Sequence, residues 1–276
     1  MKSASRRGAK ASKGQGPKGP KMPEGLDVVY GVHALQSLLD RGEAPRELWL
    51  QSGAEKRLQE LAAQAQQMGA RVVSQPREVL DQISQEASHQ GVVAFCKPLV
   101  AEGEESLWLK LRAWSAPTPP LLLVLDGVTD VHNFGACLRS ADAAGVHGVI
   151  VAKDKAAPLN ATVRKVACGA AEMVTVYQVT NLARALEKLK QEGVWIAGTA
   201  GEAATSLYDV DFTGPMALVM GAEGKGMRRL TREACDHLVK LPMAGQVSSL
   251  NVSVATGICL FEAVRQRQLA TQAIAN

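Results

Sequence analysis

The sequence has little aromatic content, 4% of its residues. It also has no uninterrupted apolar run of the roughly 18 residues that a membrane-crossing helix needs. With Ala, Val, Leu and Gly abundant instead, the composition fits sheets covered by helices on both faces and disfavours an all-β sandwich. The N-terminus lacks the apolar segment that leads a secreted protein, so a soluble, cytoplasmic protein is expected. Cys96, Cys137, Cys168, Cys235 and Cys259 are odd in number and far apart, with no C-x-x-C pair and no histidine at ligand spacing. Reduced, mostly buried thiols are therefore expected, and no metal site.

At 276 residues and 46% hydrophobic, the chain has room for one large domain or a small one plus a medium one. Its net charge of +4 is unevenly spread. Lys2, Arg6, Arg7, Lys10, Lys13, Lys18 and Lys21 face only Glu24 in the first 25 residues, which leaves the rest of the chain slightly acidic. This segment is rich in Gly, Ser and Pro and reads as a disordered basic tail. It is either a non-specific grip on a polyanion or a solubilising extension.

From residue 26 to 98, short β-like runs (ELWLQ, ARVVS, GVVAFC) alternate with helical stretches, which predicts a compact α/β domain. Residues 99–120 read as a linker carrying one short amphipathic element, LWLKLRAW, and ending in the breaker APTPP. From 121 to 276 the pattern is a series of strand and helix units. The strands are LLLVLDG, GVIVA, EMVTVYQV, VWIAGTAG, MALVMGAEG and HLVKLPMAG, and a long helix runs from about Ser249 to Gln268. Buried strands alternating with helices predict a mostly parallel sheet, with the ligand at the carboxyl ends of the strands.

Three of those strand exits are unusual. In the first, Asn133 is a candidate helix cap, and Arg139 follows in the apolar stretch GACLRSADAAG. A guanidinium there needs a partner, either Asp126 or Asp142 in a structural pair or an anionic ligand. The second, Gly221 to Gly226, is glycine-rich but is neither a P-loop nor G-x-G-x-x-G, and it carries Glu223. In the third, Ser248, Ser249, Asn251 and Ser253 crowd the start of the last helix with more polar groups than one cap requires. The excess suggests a binding surface.

In order along the chain these segments read N-x-G-x-x-x-R-S at 133–140, G-x-E-G-x-G at 221–226 and P-M-x-G-x-x-S-S-L-N-V-S-V-A at 242–255. Together they resemble the signature motifs of the SpoU (TrmH-like) methyltransferases of the SPOUT superfamily. Tyr30-Gly31-Val32-His33-Ala34 and His89-Gln90-Gly91 are similar to the family's attached substrate-binding domain. The likeness spans about residues 26–268, and Phe134 stands where the family more often has Leu.

The resemblance implies a SPOUT domain with a deep trefoil knot, one of the exceptions to unknotted folds, and a small N-terminal domain of L30e-like α/β fold. It implies S-adenosyl-L-methionine as cofactor, held at Gly221, Leu241, Leu250, Thr199, Ala200 and Gly201. The implied catalytic set is Arg139, Asn133, Glu223, Ser249 and Asn251. Arg139 would orient the reacting ribose or act as its base, Asn133 would keep Arg139 and the helix start in place, and Glu223 would hold Arg139 or the motif loops. Ser249 and Asn251 would bind phosphate, ribose or cofactor. The implied function is ribose 2′-O-methylation by a homodimer, with the nearest likeness to members acting on a guanosine of the peptidyl-transferase P loop of 23S rRNA, free or in an assembling large subunit. A tRNA guanosine and a non-catalytic ribosome-assembly role are the alternatives. Arg46, Lys56 and Arg57 are expected to help grip the RNA.

Overall fold

The computed structural model describes residues 22–84 and 88–275, so residues 1–21 of the expected tail lie outside the described residues. The chain builds two sheets. The first contains β1 (Asp27–Tyr30), β2 (Glu47–Gln51), β3 (Arg71–Gln75) and β4 (Val92–Cys96) in the order β1-β4-β2-β3, with β4 antiparallel to both neighbours. Helices α1 (Val32–Asp40), α2 (Lys56–Gln67) and α3 (Arg77–Ile83) cover it. Period-two alternation divides the core. Leu48, Val92 and Ala94 pack with Leu35 and Leu61 on one face, whereas Trp49, Val93 and Phe95 pack with Leu80 on the other.

The second sheet holds β5 (Glu102–Gly103), β6 (Leu121–Asp126), β7 (Gly148–Ala152), β8 (Val176–Val179), β9 (Trp195–Thr199), β10 (Thr205–Ser206), β11 (Met216–Gly221) and β12 (His237–Lys240). Their order is β10-β12-β9-β11-β6-β7-β8-β5, and every pairing is parallel. Its helices are α4 (Glu104–Arg112), α5 (Val131–Ala143), α6 (Ala161–Ala167), α7 (Ala170–Met173), α8 (Leu182–Gln191), α9 (Arg229–Glu233) and α10 (Val252–Ala275). Leu121, Leu123 and Leu125 face the layer of α5, α6, α7 and α10, and Leu122 and Val124 face α4 and α8. A sheet clad on both sides explains why its strands read as continuous apolar runs. The insertion of β11 between β9 and β6, with α10 packed on α5 and β11, is consistent with the knot that the resemblance implies.

One boundary differs from expectation. Residues 102–112 are no mere linker: β5 extends the large sheet through β8, and Leu107 and Trp108 of α4 are fully buried beneath it. The two-residue strand was too short to show any periodicity, while burial of Leu107 and Trp108 gives α4 its place.

Arg164, on α6, joins the two halves. Its guanidinium is buried and donates to Glu172 Oε1 (2.7 Å), Asp27 Oδ2 (3.4 Å) and the Lys97 carbonyl (3.1 Å). Burial pushes the Glu172 carboxyl above its usual range, and the adjacent Arg164 opposes that shift. Burial likewise pushes the Cys96 and Cys259 thiols up to about 12, which keeps them neutral. Cys168 is exposed and Cys235 half-buried. Among the described residues, no group of three or more His, Cys, Asp or Glu could hold a metal, and no helix is long and apolar enough to cross a membrane.

Candidate active site

The carboxyl ends of β9, β11 and β12 open into a cavity of about 740 Å³. Thr199, Ala200 and Gly201 leave β9, Gly221 ends β11, and Leu241 follows β12, with Leu250 closing from the next loop. All six residues expected to hold a cofactor therefore line one space, together with Glu223, Ser249 and Asn251. Its volume is in the range of small-molecule sites. The Thr199 hydroxyl is spent on the Val219 carbonyl (3.2 Å), so that edge offers chiefly backbone groups and the methyl.

The glycine-rich loop is a tight return. Ala222 and Gly226 exchange two backbone hydrogen bonds (3.1 and 2.8 Å), with Gly224 and Gly226 at φ +72° and +65°. A Cβ on Gly221 would lie 2.3 Å from the Gly226 carbonyl carbon and the Met227 nitrogen, so only glycine lets the loop fold back on its strand. Buried Asp126 then anchors the exit, accepting from Arg228 N (2.7 Å) and pairing with Arg228 Nε (2.7 Å).

Glu223 brings all three motifs together. Its Oε1 accepts from Asn133 Nδ2 (3.2 Å), Asn251 Nδ2 (2.6 Å) and Val252 N (3.3 Å), while Asn251 Nδ2 also reaches Asn133 Oδ1 (2.9 Å). These contacts span up to 118 residues of sequence. One carboxylate with three donors and a cross-linked amide pair thus clasps the starts of α5 and α10 to the glycine-rich loop.

Several expectations need correction. Asn133 is not the cap of α5: Asp130 is, accepting from Asn133 N (2.8 Å), which places Asn133 inside the first turn with its side chain free for the clasp. Of the two roles expected of Glu223, its hydrogen bonds serve the motif loops, and among the described residues none reaches Arg139. Among the described residues Asn133 makes no hydrogen bond to Arg139 either; its side chain ties the helix start to Glu223 and Asn251. The last helix begins at Val252, so Ser248 and Ser249 lie in an exposed loop before it; Asn251 is its cap, accepting from Ser253 N (2.9 Å) and Val254 N (3.4 Å).

Arg139 is exposed on α5, outside the cavity lining. Neither Asp126 nor Asp142 pairs with it: Asp126 is taken by Arg228, and among the described residues Arg139 makes no ion pair. Among the described residues its one hydrogen bond is from Nη1 to Cys168 Sγ, at 3.5 Å. The motif glycine at 135 has a packing reason, since a Cβ there would lie 2.7 Å from Val166 Cβ, and its absence lets α5 approach α6. Residue-type patterns missed the cap at Asp130 and the contact of Cys168 with Arg139, and they offered Asp126 to Arg139 although its partner is Arg228.

A wholly parallel sheet with a cofactor-sized cavity at its strand ends, clasped by three motifs, defines an α/β enzyme of strand-end type. The chain belongs to the SpoU rRNA methylase family, whose profile it matches over residues 120–261; residues 28–100 match a domain described as RNA 2′-O ribose methyltransferase substrate binding. It is similar to the 23S rRNA (guanosine-2′-O-)-methyltransferase RlmB of Pseudomonas putida, 58% identical over 88% of this chain and 98% of that protein. The RlmB of Escherichia coli K12 is 56% identical over 87% of this chain and 99% of its own length. Among solved structures, the SpoU methyltransferase AviRb from Streptomyces viridochromogenes, in complex with the cofactor AdoMet, superposes with a TM-score of 0.73 at 26% identity, covering 88% of this chain and 91% of that one. The chain is an RNA 2′-O-methyltransferase dependent on S-adenosylmethionine.

Proposed function

We propose that this enzyme methylates the ribose 2′-hydroxyl of a guanosine in 23S rRNA, at the peptidyl-transferase P loop (G2251). The observation that carries this reading is near full-length similarity to proteins named for 23S rRNA guanosine 2′-O-methylation, with both domains present. Backbone groups of Gly221, Leu241 and Leu250, with Thr199, Ala200 and Gly201 alongside, would hold S-adenosylmethionine in the strand-end cavity. That cofactor supplies a methyl group made electrophilic by its sulfonium.

The chain's own tasks are to position the ribose oxygen and to favour loss of its proton. Arg139 is assigned the reacting centre. With no carboxylate partner among the described residues, the guanidinium is available to orient the hydroxyl and favour the alkoxide, or to meet the adjoining phosphate. Asn133 and Glu223 act by position, through the clasp. Asn251 joins them and caps α10, while Ser249, exposed on the loop at the cavity, is assigned to phosphate or ribose.

The enzyme is read as a cytoplasmic homodimer. Support for the dimer comes from Val254, Ile258 and Phe261, exposed at i, i+4 and i+7 on α10 beside the motif loop. The domain around exposed Arg46, Lys56 and Arg57 would grip the RNA, free or within an assembling subunit.

The test is incubation with labelled S-adenosylmethionine and, separately, unmodified 23S rRNA and tRNA, followed by mapping of bonds that resist alkaline cleavage. A single protected guanosine in the P loop is expected. Label in tRNA alone would replace the target, and label in neither RNA would leave an assembly role.

A further inference from the structure

Between the two domains lies a second cleft, of about 330 Å³, that the cofactor does not use. Tyr30, His33, Ser88 and Gln90 line its N-terminal side, and Lys165 and Cys168 its catalytic side. We infer that this cleft is a subsite for one unpaired nucleotide of the RNA, next to the nucleotide that is methylated, with its base against Tyr30 and its phosphate at Lys165. The inference rests on the chain acting on RNA.

Four features converge on it. The Lys165 ammonium stands 5.4 Å from the centre of the Tyr30 ring, so an aromatic face and a positive charge occur together at the opening. That pairing matches a base and its phosphate, since unpaired bases are held by stacking on aromatic rings and by cations along the backbone. Gln90 Oε1 caps α1 at Val32 N (2.9 Å), while its NH2 group makes no hydrogen bond to the described residues and is left to read a base edge.

Backbone strain collects on the two walls. Among the described residues only three non-glycines have positive φ, and two of them are Gln90 (+51°) and Cys168 (+52°). Such positions persist where surrounding structure holds them for a purpose. Gln90 is fixed by its cap on α1 and Cys168 by its place between α6 and α7.

The cleft is also preformed and joined to the reacting centre. Buried Arg164 ties the walls together through Glu172, Asp27 and the Lys97 carbonyl, so no docking step is needed to create the space. Cys168, on its floor, accepts from Arg139 Nη1 at 3.5 Å. A nucleotide in the cleft is therefore one side chain away from the arginine assigned to the target ribose.

Tyr30→Leu and Lys165→Ala test this in the full-length chain with unmodified 23S rRNA transcript. Tyr30→Leu should weaken RNA binding and raise KM for RNA by about tenfold, the size expected for one lost base stack. Lys165→Ala should lower the salt dependence of RNA binding by about one phosphate contact. S-adenosylmethionine affinity should stay at the wild-type value in both. Tyr30 packs partly into the first domain, so a melting curve accompanies it; Lys165 is exposed, and its result decides the matter if Tyr30→Leu unfolds. Unchanged RNA affinity and salt slope in Lys165→Ala would overturn the subsite. Weakened binding by these variants in a protein that transfers no methyl group would uphold the subsite and sink the proposed activity. RNA bound by neither wild type nor variants would sink both.

Discussion

Two arginines on neighbouring helices have opposite fates. Arg164, in the interior face of α6, is buried and spends its donors on two carboxylates and a carbonyl. Arg139, on the outer face of α5, is exposed, and among the described residues its one hydrogen bond is to a thiol. Both sit in Ala-rich stretches, so composition alone treats them alike. The contrast separates a committed guanidinium that holds architecture from an uncommitted one, which is the one proposed for chemistry.

The largest effect expected from breaking this contrast is on stability. Arg164→Met strands Glu172 in the core without its cation and should cost about 3–5 kcal/mol in urea unfolding. A change below about 1 kcal/mol would mean that the buried pair is not holding the domains together.

Glu223→Ala removes the clasp and should weaken S-adenosylmethionine binding about tenfold, near 1.4 kcal/mol, by calorimetric titration. Added to Arg139→Ala, its effect on transfer should be simply cumulative, because the two side chains do not touch. A double variant no worse than either single one would show that they act as a pair after all.

Asn251→Ala should cost about 1 kcal/mol of stability through the lost cap of α10, measured by thermal melting. It should leave the stability contributed by Arg164 intact, since the two sites share no partner.

The smallest effect concerns pH, at a site outside both arginine regions. Burial holds His147 below its usual value, and its Nδ1 accepts from Leu121 N (3.0 Å). The neutral ring is favoured in the fold, so the unfolded chain takes up the proton first. Stability is full above about pH 6.5 and falls as the solution is acidified below it. His147→Asn should flatten the slope of melting temperature between pH 7 and 5, whereas an unchanged slope would remove His147 from the account.

Much of this was legible in the residues because it is local. The runs LLLVL and MALVM read as strands buried on both faces, and the spacings at 133–140, 221–226 and 242–255 marked the loops that gather at the cavity. What escaped was long-range. Asp130 and Asn133 are both good caps three residues apart, and only the partnership of Asn133 with Glu223 and Asn251 decides between them. The joining of β5 to β8 depends on a two-residue strand more than 70 positions from its partner. Nothing in the sequence assigns Glu172 and Asp27 to Arg164, or a cysteine to Arg139, because those pairings are made by packing of α5, α6 and the first domain.

The most direct measurement is single-turnover methyl transfer by Arg139→Ala, with a cofactor titration and a melting curve on the same preparation. An uncommitted arginine at the reacting centre predicts a rate loss of about 10²–10³, with normal cofactor affinity and an unchanged melting temperature. Wild-type transfer with cofactor bound normally would contradict it, and so would a fall in stability comparable to that of Arg164→Met.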